Sequence, residues 1–121
     1  MADCGFTSPY DEFREIFKRR RIPVHPLFDI AQLYARLFAG FDFRGASTLD
    51  ALKVNRIPVL FFHGGKDLFV PTHFSHDNHN ICAAEKEIII VPDAWHGASY
   101  LLETEKYEAA VESFFARHAS I

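Results

Sequence analysis

Apolar positions in this chain follow two periods, and the change from one to the other marks its elements. Residues 59–62 (Val59, Leu60, Phe61, Phe62) form an unbroken apolar run, with Pro58 before it and Gly64 and Gly65 after it. A strand covered on both faces reads this way, because no position along it meets water. The run at 87–92 has the same character, with Ile88, Ile89, Ile90 and Val91 in sequence. Two buried parallel strands need a crossover, and residues 72–84 are expected to supply a helix between them. Elsewhere the period is helical. Ser8 and Pro9 open a first helix with Phe13, Ile16 and Phe17 on one face, and Asp11 stands in for the glutamate of a capping box. A second helix is expected over 27–39, where Leu27, Ile30, Ala31, Tyr34, Leu37 and Phe38 make a broad apolar stripe that Gly40 stops. Ser47 and Asp50 begin a short third helix. Thr104 is expected to cap a last one, with Tyr107, Ala110, Val111, Phe114 and Phe115 facing the core. Residues 1–4 read as the tail of a further strand. The expected class is α/β: a short parallel sheet of two full strands and an N-terminal stub, flanked by helices.

Composition places few further limits. The chain has 121 residues, the size of one small domain, and a net charge of −3. That charge gives no general case for nucleic acid or an anionic membrane as partner. The one basic cluster, Lys18 to Arg21, reads as a solvated helix end beside the negative pole of its dipole. No apolar run approaches the roughly 20 residues of a membrane span, no signal peptide is recognisable, and a cytoplasmic location is expected. Cys4 and Cys82 lack metal-ligand spacing and read as reduced thiols, with a single disulfide left open.

The chemistry gathers at the ends of the two apolar strands. Asp67 follows the first and His96 follows the second. In open α/β sheets the carboxyl ends of the strands are where ligands and reacting groups sit. An acid followed by a histidine gives two members of a hydrolytic triad in the order serine, acid, histidine. The plain alternative is a turn aspartate bonded to its own backbone and an ordinary loop histidine.

His63, Gly64, Gly65, Lys66 and Asp67, then Val70 and Pro71, then Ala94, Trp95, His96, Gly97 and Ala98 resemble the C-terminal half of the serine-type α/β-hydrolase superfamily. The likeness is to bacterial enzymes of esterase, lipase and peptidase type. It begins at Ala2 to Pro9 and runs to the last helix. The resemblance implies a partial α/β-hydrolase fold over residues 1–121, with a helical region at about 10–55 that caps the active site or packs on the sheet, and the sheet and final helix at 57–121. It also implies that Asp67 orients and charge-stabilises His96, and that His96 serves as general base and acid for a serine. The family's G-x-S-x-G motif is not in these residues: none of Ser8, Ser47, Ser75, Ser99, Ser113 and Ser120 is flanked by both of its glycines. The oxyanion-hole segment has no counterpart either. The expectation is therefore a chain inactive by itself, whose partner is a missing N-terminal half carrying the nucleophile, and whose substrate in the complete enzyme is a small carboxylic ester, thioester or amide. The alternative is a non-catalytic module that self-associates as a homodimer or larger oligomer, because a sheet cut at its middle exposes strand edges at the N-terminal stub and at 59–62.

Other residues carry weaker expectations. Cys4 is a conceivable replacement nucleophile, although a buried thiol more often serves as a small hydrophobe. His73, His76 and His79, with Asp77 among them, read as a polar helix face on which neighbouring pairs could bind zinc or nickel. His63 is expected to hydrogen-bond backbone beneath the site, and Trp95 to pack beside His96 as core or pocket wall. No cofactor or metal is expected.

Overall fold

The computed structural model describes residues 1–119. Three parallel strands form one sheet in the order β1 (Ala2–Asp3), β2 (Val59–Gly64), β3 (Lys86–Val91). Ala2 pairs with Phe61 and Asp3 with Phe62, while β3 pairs with β2 along its whole length, from Val59 opposite Lys86 to Gly64 opposite Val91. β2 is therefore central, and the expectation that residues 59–62 form an open edge is incorrect. The edges are β1 and β3.

The alternation of β2 divides the core in two. Leu60 and Phe62 point to one face, where Tyr107 and Phe114 of α6 (Thr104–His118) cover them, with Phe62 stacked on Tyr107 at 3.9 Å between ring centres. Phe61 points to the other, against Leu52 of α3 (Thr48–Lys53) and Cys82. The crossover is α4 (His73–Ile81). Both cysteines are free and buried, so the disulfide is excluded.

Local signals explain most helix ends. Ser8 caps α1 (Pro9–Arg19), its hydroxyl oxygen accepting from the Asp11 amide at 3.0 Å. The capping box is not reciprocal: the Asp11 carboxylate accepts from the hydroxyls of Thr7 and Ser8 instead. Ser47 caps α3 in the same way through the Asp50 amide. Thr104 does not cap α6. It lies inside the helix, and its hydroxyl donates to the Tyr100 carbonyl of a short preceding helix, α5 (Ser99–Leu102), which the sequence pattern does not announce.

The second helix departs from expectation. α2 (Leu27–Tyr34) continues as a π-helical turn (Ala35–Ala39) and ends at Gly40, which adopts a left-handed φ of 62°. Its inner face is Phe28 and Gln32, not the apolar stripe. Phe28 inserts among Tyr10, Phe13, Phe17 and Phe43, which seats α2 on α1. Gln32 holds the following loop by donating to Asp42 and accepting from the Phe43 amide. Leu27, Ile30, Tyr34, Leu37 and Phe38 all face outward. On α6, Phe115 is likewise exposed rather than core.

Candidate active site

Two loops leave the same end of the sheet and meet. β2 ends at Gly64, β3 ends at Val91, and the chains beyond them are joined by backbone hydrogen bonds: the Gly65 amide to the Val91 carbonyl at 2.8 Å and the Lys66 amide to the Ala94 carbonyl at 2.9 Å. The glycine pair is required by this approach. A Cβ on Gly64 would stand 2.4 Å from the Ala94 carbonyl oxygen, and one on Gly65 would stand 2.6 Å from that of Pro92. Neither glycine has a positive φ. The loops, rather than a left-handed turn, exclude side chains here.

The contact delivers Asp67 and His96 to each other. Nδ1 of His96 donates to Oδ2 of Asp67 at 2.8 Å. Asp67 is buried, while the imidazole is 42% exposed, so its outer nitrogen is open to a reacting group. The carboxylate is fully subscribed. Its Oδ1 accepts the amides of Phe69 and Val70, each at 2.8 Å. Its Oδ2 lies 3.1 Å from Nε2 of His63 as well as accepting from His96. Burial raises the Asp67 pKa, but the hydrogen bonds from His96, Val70 and Phe69 and the His96 charge outweigh it, and the net shift is downward.

His63 is wholly buried beneath the acid. Its Nε2 is 2.9 Å from the Val70 carbonyl, which can only accept, so that nitrogen carries the proton. Its Nδ1 then accepts from the Ser75 hydroxyl at 2.6 Å. His63 thus bonds backbone, as expected, and Asp67 besides.

Two further residues border the pair: Glu12, which no sequence pattern singles out, and Cys4, which the sequence offers only as a conceivable nucleophile. Glu12, on α1, is 8% exposed, and neither of its carboxylate oxygens finds a hydrogen-bond donor. Arg19 stands 3.7 Å away and also donates to the Phe69 carbonyl, tying α1 to the Asp67 loop. Burial pushes the Glu12 carboxyl above its ordinary range against the pull of Arg19, and Asp67 and His96 are near enough for their charges to be felt. Cys4 lies just past β1 at a left-handed φ of 52°, with its Sγ accepting from the Gly97 amide. Gly97 itself has φ 66°, which lets the chain turn directly after His96. No periodicity signals either residue, since their positions depend on how α1 and β1 are set against the two loops.

The remaining candidates separate from the site. Trp95 is 70% exposed and is neither core nor wall. His73 and His76 are exposed on α4 and His79 sits edge-on to Phe61, so these three form no ligand cluster among the described residues. Lys18, Arg20 and Arg21 are solvated as expected. A cavity of about 320 Å³ lies between α1 and the Asp67 loop, lined by Ile16, Arg19, Arg20, Leu68 and Phe69. Phe69 links it to His96, the ring centres being 5.1 Å apart.

No family model matches the chain. Solved structures that align with it include two hydrolase-fold proteins. An alpha/beta fold family hydrolase from Bacillus anthracis str. Sterne superposes with a TM-score of 0.53 over 67% of this chain and 27% of its own, at 20% identity. BpoC from Mycobacterium tuberculosis H37Rv, described as a candidate non-heme bromoperoxidase, superposes with a TM-score of 0.54 over 89% of this chain and 51% of its own, at 14% identity. The chain carries part of the α/β-hydrolase fold. In sequence it is 28% identical over 116 residues to the uncharacterized protein YqkD of Bacillus subtilis strain 168, which covers 94% of this chain and 38% of YqkD. The chain therefore spans about two fifths of that relative's length. At these identities the likeness establishes the α/β-hydrolase fold and leaves the chemistry to be argued from the site. No helix among the described residues is long and apolar enough to cross a membrane.

Proposed function

We propose that this chain supplies the acid and the base of a serine-type α/β-hydrolase acting on a carboxylic ester, thioester or amide. The observation that supports this reading is the hydrogen bond from His96 Nδ1 to Asp67 Oδ2, made between the exit loops of two neighbouring parallel strands. Asp67 fixes the tautomer whose Nε2 can accept a proton, and stabilises the imidazolium that forms when it does. His96 takes the proton of a serine hydroxyl and returns it to the leaving group. The serine and the oxyanion donors would come from polypeptide outside these 121 residues.

A positioned acid and base without nucleophile or oxyanion donors lose nearly all the rate the assembly provides. The test is hydrolysis of a p-nitrophenyl ester by this chain alone and by this chain combined with the G-x-S-x-G-bearing segment of an active α/β-hydrolase. Turnover is expected only in the combination and only while His96 is intact. Turnover by the isolated chain that disappears in His96→Gln would overturn the inactive-alone reading. A combination that folds together yet stays inactive would overturn the hydrolase reading.

A second reading is a self-associating module with no catalytic role. The outward apolar face of α2 and its π-helical turn supports it, with a second copy of this chain as the occupant.

A further inference from the structure

Three side chains from the ends of all three strands converge in a way that acid–base catalysis does not require. One ligand-type atom each from Cys4, Asp67 and His96 lies within 4.8 Å of the other two. A thiol, a carboxylate and an imidazole are a donor set suited to a borderline-soft divalent cation, zinc foremost. At ordinary bond lengths, tetrahedral zinc ligands stand roughly 3.3–3.7 Å apart, so the three atoms need to adjust by about 1 Å. Glu12 on α1 adds a further buried carboxylate: neither of its oxygens has a hydrogen-bond donor, and its ion-pair partner is Arg19 at 3.7 Å.

Cys4 does not serve as the nucleophile in this arrangement. It is 6% exposed, so an acyl group has no path to its sulfur. Burial pushes its thiol up to about 11, far from a thiolate at neutral pH. Metal coordination removes that proton directly, which a neighbouring imidazole does not.

We infer that Cys4, Asp67 and His96 form a binding site for zinc or a cation of the same class, and that the bound metal disables His96 as a base. The cation takes the place of the Cys4 thiol proton, which leaves to solvent. It also takes the place of the proton between His96 and Asp67, which moves from Nδ1 to Nε2. An imidazole with its proton on Nε2 has no lone pair there to offer a serine. The inhibitory consequence rests on the proposed hydrolase role. The metal site itself does not, because it needs only side chains present in this chain.

The test is titration of the 121-residue chain with cobalt(II), using protein made without a histidine tag and stripped with chelator. Thiolate-to-cobalt charge transfer in the near ultraviolet is the readout. One equivalent is expected to saturate the signal, and zinc is expected to displace the cobalt. The signal should vanish in Cys4→Ser, and affinity should fall at least about tenfold in His96→Gln, whose partly exposed ring makes that change mild for the fold. Circular dichroism controls for folding in both variants. Absence of the thiolate band in folded wild-type protein would overturn the site. So would equal binding by both variants, which would place the metal elsewhere, for example on the histidines of α4. Neither result bears on ester turnover, so the site and the hydrolase reading can fail separately.

Discussion

Nε2 of His63 lies 3.1 Å from Oδ2 of Asp67, with both side chains shielded from water. The imidazole spans the gap between the strand end and α4, since its other nitrogen meets Ser75. Replacing it with an apolar ring of similar size leaves the Val70 carbonyl and the Ser75 hydroxyl without a partner and removes one donor from Asp67. Each such loss in a buried setting costs about 1–3 kcal/mol. His63→Phe is therefore expected to lower unfolding stability by about 2–5 kcal/mol in urea. A loss under about 0.5 kcal/mol would show that His63 does not organise the acid.

Asp67 also sets an acid limit on stability. Its pKa is below the ordinary value of 3.8, because the hydrogen bonds it accepts and the His96 charge outweigh its burial. A carboxylate with a depressed folded-state pKa binds protons less readily when folded than when unfolded. Its stabilising contribution is present above the unfolded value and is lost as pH falls through the folded one. The wild-type chain should lose urea resistance on acidification from pH 5 downward. Asp67→Asn should be less stable at pH 7 and should lose less of its remaining stability over that range. Parallel pH profiles for the two proteins would contradict this account.

The glycines permit a direct comparison. Gly64→Ala forces a Cβ against the carbonyl oxygens of Ala94 and Trp95, at 2.4 and 2.5 Å, and these belong to the loop that carries His96. Gly40→Ala meets nothing within 4 Å and incurs only the strain of a left-handed residue. The expected costs are about 3 kcal/mol or more for the first, from displaced backbone, and about 1–2 kcal/mol for the second. In Gly64→Ala the shifted loop should also loosen the bond between Asp67 and His96, visible as a change in the His96 imidazole resonances by NMR. The His96 resonances of Gly40→Ala should match those of the wild type.

The parts of this fold that were legible in the sequence are those fixed by local patterns. Buried runs named β2 and β3, Ser8 and Ser47 named two helix starts, and Gly40 named a stop, because each rests on a few adjacent residues. The pairing of Asp67 with His96 was legible for a related reason: parallel strands joined by one crossover bring their exit loops together. The outward stripe of α2 was not legible. Apolar periodicity shows that a helix has a preferred face, but it does not say what covers that face, and here the buried side is held by Phe28 and the amide of Gln32. Glu12 was hidden for the same reason, and so was the contact of Cys4 with the Gly97 amide, since both settings come from distant segments. Trp95 was expected to pack beside His96 as core or pocket wall, yet it is 70% exposed while Ala94 before it is buried.

Catalysis offers a sharper test of Asp67 than stability does. In an assembly with the serine-bearing segment, Asp67→Asn should keep the geometry while favouring the wrong His96 tautomer, and kcat should fall about 10⁴-fold. KM should change little, because Asp67 is buried and touches no substrate. The measurement is steady-state hydrolysis of a p-nitrophenyl ester at pH 7 to 8. A loss smaller than about tenfold would mean that Asp67 is structural and that another group orients His96.

Self-association can be tested on the outward face of α2. Leu27, Ile30, Leu33, Tyr34, Leu37 and Phe38 share that face, and the last two are 69% and 74% exposed. Apolar area gathered in one patch is normally covered in a soluble protein. Helices packed face to face through such a stripe would remove about 25 cal/mol per Å2 of apolar surface from water, against the cost of association. Analytical ultracentrifugation should therefore show concentration-dependent dimers at micromolar protein. Leu37→Glu with Phe38→Glu should return the chain to a monomer with an unchanged circular dichroism spectrum, because neither side chain belongs to the buried core. If the double variant still dimerises, the contact lies instead at an open strand edge, β1 or β3, and substitutions there become the discriminating ones. A wild-type chain that stays monomeric throughout would remove the self-associating reading and leave the acid–base pair as the feature to be explained.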